Sequence, residues 1–594
     1  MLFLWMSRCI PAFSIIALLS LLAFAFPDSI SLPLWKGLYP STGTNEPSNS
    51  SNPLSLAQKI FLTYSVLIHL SMFGFTVRLS FALFRVTKET KEALERRAWR
   101  TPRSSFDGRF VDSPIANQEY PDPSAFKTND SREEEEVIHA IIVPNYAEDI
   151  DTLRTTLNVL ASHPRASSQY EIYLAMEQKE PEAAEKAAKL VSVFEKSFLQ
   201  IRPTFHPAGL PGEIAGKSSN VAFSARHIIE IYRADLTGGS CKVIITVMDG
   251  KLSPVCKAIL TSIADTHLSQ DYFTEIRRLH YTHPTEADRS IYCCPIIFDR
   301  NSHRTPILVR CADLLWAFAG LSTMYPGAPI SIPTSVYSLP LLLAEKVGGW
   351  DSDPTAIGED MHMMLKCYFE TAGNVVSRVV YIPASQCNVS SETGTGWRRT
   401  LDTCMARYRQ ALRHMWGALD SGFAIRRSVS YLRFHSRCLF FRPRHFVLLH
   451  LLWEAHFLPS HLLILMLFSG LYEFCTPVAE LHPIMKTALW LTSLLRASSF
   501  VGMNICLALY ERWHDVCLNA RMRDMSAAKL TGTGFSPRTW WHPKYLLERL
   551  FFPIAGTVYG PIPAMHAVFS HFWTDRLVYR VSKKPAFVSE SGMV

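Results

Sequence analysis

Glu359 and Asp360 stand side by side at the start of an apolar helix. Met361, Met364, Leu365 and Tyr368 recur at i, i+3, i+4 and i+7, which predicts that helix. Acids in a first turn complement the macrodipole, so they serve as caps. A carboxylate there also suits a general base working on a hydroxyl group. The chain offers partners for such chemistry. Asp249 ends an apolar run, Lys242–Met248. Gly216-Lys217-Ser218-Ser219-Asn220 opens a helix; no Gly lies five residues before Gly216, so the spacing of a phosphate-binding P-loop fails. Arg413 sits in Arg407-Tyr408-Arg409-Gln410-Ala411-Leu412-Arg413-His414-Met415-Trp416, and a guanidinium grips phosphate in a planar, bidentate way.

The elements that must position these groups alternate between strand and helix. Val137–Val143 and Lys242–Met248 are continuous apolar runs, as strands buried on both faces should be. Tyr170–Met176 reads as a third strand, ending beside Glu177. Helices are predicted from the Pro144–Asp149 loop to about Ala161, over Pro181–Leu199 and over Lys217–Tyr232. Strands that end at polar residues and feed helices make an α/β doubly wound sheet with its site at the strands' carboxyl ends. That unit is expected over residues 136–430.

Composition sets the surroundings. The chain has 594 residues, 48% of them apolar, and a net charge of +8. That is too long for one domain and too apolar for a plain soluble enzyme. Its 13 cysteines include no CxxC, so neither a zinc site nor a disulfide framework is indicated. Residues 1–86 are expected to form an N-terminal membrane region with spans at about 9–26 and 60–84, the first of which reads equally as the apolar stretch of a signal peptide. The intervening loop carries Asn49-Ser50-Ser51, a glycosylation acceptor pattern at Asn49. A basic flank and polar linker occupy 87–135; positive charge there marks the cytosolic side. A helix lying in the membrane interface is expected at 431–445, then a C-terminal membrane region over 446–573 with about three spans, then a tail, 574–594. Between Arg398 and Arg444 there are 11 arginines, no lysine and two acids, Asp402 and Asp420, which reads as a collar against anionic headgroups. Glu454 and Arg496 fall inside expected spans and should face a protein interior.

Five segments in this order resemble the membrane-embedded family-2 glycosyltransferases, the group of the cellulose, hyaluronan and chitin synthases, and most of all fungal members. The segments are Val143-Pro144-Asn145-Tyr146 with Glu148, Gly216–Asn220, Val247-Met248-Asp249, Gly348-Gly349-Trp350-Asp351 with Gly358-Glu359-Asp360, and Arg407–Trp416. The resemblance covers about residues 137–420. It implies a GT-A-like fold between membrane helices, about two before and three after, and inverting transfer from a UDP- or GDP-sugar with Mg²⁺ or Mn²⁺. Tyr146, Glu148, Glu177, Lys217, Asn220, Gln410, Arg413 and Trp416 would bind the donor. Asp360, with Glu359 beside it, would be catalytic. The acceptor would be a polysaccharide or an amphiphile drawn from membrane lipid, and nucleic acid is not an expected partner. The catalytic unit would be cytosolic, on a plasma or secretory-pathway membrane.

Two departures from the family pattern stand out. Trp416 lies two residues beyond its place in Q-x-x-R-W. The metal motif D-x-D is interrupted, because Lys251 stands where the second Asp belongs. Ala264-Asp265-Thr266-His267-Leu268 follows later, and removing residues 250–263 restores Val-Met-Asp-Ala-Asp-Thr. Asp249 and Asp265 are then the metal pair. The intervening 14 residues read as a retained intron, since Gly-Lys can encode a splice donor, or as a loop that lets Asp265 fold back. Otherwise the site is dead and the chain a membrane scaffold.

Overall fold

The computed structural model describes residues 2–26, 53–100, 137–145, 150–213, 216–237, 241–248, 266–299, 302, 305–389, 396–435, 442–476, 481–527 and 543–577. Ten strands are described: β1 (Ile138–Pro144), β2 (Tyr170–Glu177), β3 (Gln200–His206), β4 (Val243–Val247), β5 (Thr266–His267), β6 (Ser290–Cys293), β7 (Ile296–Phe298), β8 (Tyr337–Pro340), β9 (Val376–Val379) and β10 (Ala384–Gln386). Seven make the central sheet in the order β3-β2-β1-β4-β8-β6-β9, and β5-β10-β7 make a small second sheet. In the large sheet only β8 runs antiparallel to its neighbours. The arrangement is mixed α/β. The chain winds outward in both directions from the β1–β4 pair, so the ligand crevice belongs at the carboxyl ends of those strands.

Pleating divides the core. Ala140 and Ile142 of β1 point into one cluster, Ile141 and Val143 into another. The second cluster holds α3 (Ile150–Ala161), packed through Leu153 and Leu157, and α4 (Ala183–Phe194), packed through Leu190 and Phe194. The strand β3, which follows the helix predicted over Pro181–Leu199 and was not itself expected, is half-buried and carries Pro203. An edge strand tolerates a proline that a central strand would not.

The first cluster joins the sheet to the apolar helices. α1 (Leu2–Ala25) and α2 (Leu56–Arg100) precede the sheet domain, and α2 continues unbroken through the basic flank. Its Leu79, Leu83 and Val86 are fully buried in the sheet's own core. The next helices are α5 (Lys217–Ile231), α6 (Gln270–Thr282), α7 (Ile307–Leu321), α8 (Glu359–Glu370), α9 (Gly396–Met415) and α10 (Leu419–Ser430), of which all but α6 carry residues of the site. Beyond them come α11 (Pro443–His456), α12 (Leu458–Cys475), α13 (Pro483–Ala527), α14 (Pro543–Tyr559) and α15 (Pro561–Ser570). Among the described residues, four helices are long and apolar enough to cross a membrane: Leu2–Ala25, Leu56–Arg96, Leu458–Cys475 and Pro483–Met522. The expected span near 446–472 divides at Phe457, just ahead of Pro459, into α11 and α12. The expected span at 551–573 divides at Gly560 into α14 and α15, each too short to cross alone. Residues 431–435 form a π-turn continuing α10; residues 436–441 of the expected interfacial helix lie outside the described residues, as do Asn49 and the 101–136 linker.

The charges placed in apolar helices have partners. Glu454 of α11 meets Arg78 of α2 at 2.5 Å and His450 at 3.4 Å. Arg496 donates to Ser493 Oγ at 2.6 Å. Several arginines of the 398–444 stretch grip the protein itself. Arg407 pairs with Asp313 at 2.9 Å and donates to the Ala312 carbonyl at 3.0 Å, locking α9 to α7. Arg442 and Arg444 donate to the carbonyls of Ala372, Gly373 and Val375 just past the end of α8.

Removing one partner of a buried ion pair strands the other charge, whereas removing both leaves an apolar contact. Arg78→Leu or Glu454→Leu alone should each destabilise the detergent-solubilised protein by on the order of 3 kcal/mol. The double variant should recover most of the loss in unfolding midpoint; a double variant as unstable as the sum of the singles would show that the pair is not the operative contact.

Candidate active site

Two glycines shape the approach to α8. Gly348 and Gly349 close the short helix Leu341–Lys346 with φ of +77° and +72°, a conformation that suits residues without a Cβ. The Gly349 amide returns to the Ala344 carbonyl at 2.7 Å, and the turn delivers Trp350 and Asp351 inward. Residues 352–358 then loop to the α8 start. Ser218 of α5 holds that loop through the Ala356 carbonyl at 2.5 Å, and Ser352 holds it to Glu213 at 2.9 Å.

A cavity of about 130 Å³ opens here. Its lining includes Lys217 from α5, Trp316 from α7, Glu359, Asp360 and Met361 from α8, and Arg413 and His414 from α9, with Asp420 from α10 behind them. The two neighbouring acids are in different environments. Glu359 is buried; one oxygen lies 3.0 Å from Lys217 Nζ and the other accepts from the Tyr337 hydroxyl. Trp350 Nε1 in turn donates to Tyr337 at 2.6 Å. Glu359 is thus a tie between α5, β8 and α8. Asp360 is half-buried and accepts from the Met361 amide through Oδ1 at 2.9 Å. Of the two, Asp360 is the one whose surroundings suit proton transfer.

The remaining expected residues divide clearly. Lys217 and Arg413 reach the cavity. Asn220 is buried beneath it: Nδ2 donates to the Ala175 carbonyl at 2.7 Å, pinning the end of β2. Glu177 bonds His206 at 3.0 Å, and His206 bonds Glu213 at 2.9 Å. Burial would lower the His206 imidazole, but these carboxylates raise it. Gln410 lies one turn before Arg413 and does not line the cavity. Trp416 is buried against Leu419 and Ala567, its ring edge-on to His571 at 4.9 Å, and also stays out of the lining. Tyr146, Glu148, Asp249 and Asp265 lie outside the described residues. β4 ends just before Asp249, and β5 begins just after Asp265. Among the described residues no group of three or more His, Cys, Asp or Glu could hold a metal ion.

Sequence reasoning missed a second set of residues. His362 of α8 is buried between Asp420 at 2.6 Å and Asp351 at 3.1 Å, and Lys366 meets Asp351 at 2.5 Å. Burial would push the imidazole down; Asp420 and Asp351 outweigh it and raise it to about 9. Burial raises Asp420. Asp351, which burial would raise, is lowered to about 2 by its bonds from His362 and Lys366. Asp313 and Trp316 were missed as well, although an acid inside the apolar run Ile307–Leu321 was a signal. Trp316 stacks on His414 at 4.2 Å and so helps seat the end of α9 that carries Arg413.

Residues 259–501 match the family model described as glycosyl transferase family group 2. No curated protein matches the chain. Among solved structures, a mannosyltransferase from Pyrobaculum calidifontis in complex with GDP-Man and Mn²⁺ is similar at 12% identity, over 77% of this chain and 98% of that one, with a TM-score of 0.37. A superposition that loose transfers no residue roles.

The His362 shift has a signed consequence. Its folded value, about 9, lies above the ordinary 6.5, so its contribution to stability is complete below 6.5 and is lost as pH rises through 9. The wild-type unfolding midpoint should therefore fall between pH 6.5 and 9 more steeply than that of His362→Gln. Parallel pH curves for the two proteins would contradict a charged His362.

Proposed function

We propose that this family-2-like glycosyltransferase moves a sugar, with inversion, from a UDP- or GDP-sugar to a membrane-borne acceptor, using Asp360 as general base. The carrying observation is that one cavity is lined by a helix-start carboxylate, Asp360, and two cations, Lys217 and Arg413, drawn from separate helices. An acceptor hydroxyl ionises far above neutral pH and needs a base within hydrogen-bond reach. The departing nucleoside diphosphate gathers negative charge, and Lys217 and Arg413 are suited to meet it. Glu359 holds the lysine in place through their 3.0 Å contact.

The residues present suit a divalent cation in kind. Asp249 and Asp265 are hard oxygen donors, flanking the ends of β4 and β5, and would hold Mg²⁺ or Mn²⁺. A bound cation supplies further positive charge to the diphosphate. The 250–263 segment separates these two carboxylates in sequence, and Lys251 within it favours the second reading, a catalytically impaired membrane scaffold.

The cavity wall also bears on the acceptor. Trp316, Ile357, Met361 and Leu577 add apolar surface to the lining, which favours an amphiphilic acceptor or a sugar chain held on an aromatic face. With arginine-rich flanks next to the candidate spans, the catalytic unit belongs on the cytosolic face of a plasma or secretory-pathway membrane.

The test is transfer of radiolabelled sugar by membranes carrying the full chain, over UDP- and GDP-sugars with and without Mn²⁺. Asp360→Asn should lower turnover at least ~10²-fold with the donor KM nearly unchanged; equal turnover would leave Asp360 a helix cap. Deleting Gly250–Ile263 should raise metal-dependent transfer. No transfer from either form would favour the scaffold.

A further inference from the structure

α8 carries Asp360, and the contact that fixes its first turn comes from a helix seated on the N-terminal membrane-type helix. Asp420, in the first turn of α10, is fully buried and accepts from or pairs with His362 Nδ1 at 2.6 Å. His362 lies two residues after Asp360 on the same turn. The other oxygen of Asp420 is buried without a hydrogen-bond partner among the described residues and lies over Gly358, where a Cβ would stand only 3.0 Å from it. The residue just before α8 is therefore glycine at a place where the carboxylate needs the room. On its opposite side α10 is pressed against α1. A Cβ at Gly422 would meet the Ser7 carbonyl oxygen at 2.8 Å, and Arg426 donates to Ser7 Oγ at 2.8 Å. Ser421 bonds His456 of α11 at 2.7 Å.

We propose that Asp420 and His362 form a positioning clamp that fixes the base Asp360 relative to the cavity by anchoring the first turn of α8 to α10 and, through α10, to α1. His362 is not in the cavity lining and Asp420 is fully buried at its back, so both act through Asp360. Their effect is on where Asp360 stands when the acceptor hydroxyl arrives, and a displacement of about 1 Å at such a group costs up to about 10²-fold in rate. Asp351 completes the clamp from the Gly-Gly turn, so three separate stretches of chain converge on one imidazole. An imidazolium between two carboxylates is a rigid, directional connector, and each carboxylate stands within hydrogen-bond distance of a ring nitrogen.

This inference rests on Asp360 as the base, and the experiment separates the two. Full-length Asp420→Ala, Asp420→Asn, His362→Gln and the His362→Gln/Asp420→Ala double variant are compared with Asp360→Asn for turnover, donor KM and unfolding midpoint. Asp420→Ala should lose about 10-fold to 10²-fold in kcat, with donor KM changed less than about threefold. Asp420→Asn still accepts a hydrogen bond from His362 and should recover most of that loss. Acting through one clamp, the double variant should lose no more than the worse single. A folded Asp420→Ala with wild-type kcat overturns the clamp while an inactive Asp360→Asn keeps the base. Additive losses in the double variant, or a kcat loss that only tracks the unfolded fraction, also overturn the clamp; if Asp420→Ala does not fold, a folded His362→Gln with wild-type kcat overturns it. An active Asp360→Asn overturns both readings.

Discussion

The ion pair between Lys217 and Glu359 holds the cavity together. It joins the first residue of α5 to the first residue of α8 across the carboxyl side of the sheet, with both side chains largely shielded from water. A buried charge left alone costs several kcal/mol, so neither residue can withdraw without the other. Tyr337 and Trp350 add donors behind Glu359, extending the tie to β8 and to the Gly-Gly turn. The pair also sets two adjacent carboxylates in different surroundings: both line the cavity, but Glu359 is buried and tied to Lys217 and Tyr337 while Asp360 is half-buried.

The same physics recurs farther from the cavity. Among the described residues several charges that the apolar surroundings would reject are matched: Asp313 by Arg407, Glu454 by Arg78, Glu548 by Arg310. These pairs are also joints. Arg407 locks α9 to α7, and that lock sets the height at which Arg413 enters the cavity. Arg78 links α2 to α11, and α2 in turn buries Leu79, Leu83 and Val86 in the core of the sheet domain. The sheet domain and the apolar helices therefore share a core and are not merely tethered.

Much of the fold was legible because the interior strands β1, β2 and β4 are buried on both faces and read as apolar runs. β3 was not, because an edge strand with a proline and alternating exposure reads like a loop. The 398–444 arginines read as a lipid collar; composition cannot tell a headgroup from a carbonyl, and Arg442 and Arg444 meet carbonyls. Of the site, the Gly358-Glu359-Asp360 turn, Lys217 and Arg413 were readable from residue type and position. The His362–Asp420 contact spans 58 residues and follows no local spacing rule, so only the folded chain brings it into view. Trp416 illustrates the converse, a residue whose motif position pointed to the donor and whose ring packs against α15.

Whether donor and acceptor meet in the cavity between α5, α8 and α9 is tested by hydrogen–deuterium exchange on the full-length protein in detergent, with UDP or GDP and Mn²⁺ added. One of the nucleotides should slow exchange in the first turns of α5 and α8, in residues 352–358 and at the Arg413 end of α9. Protection confined to segments that do not line this cavity would contradict it.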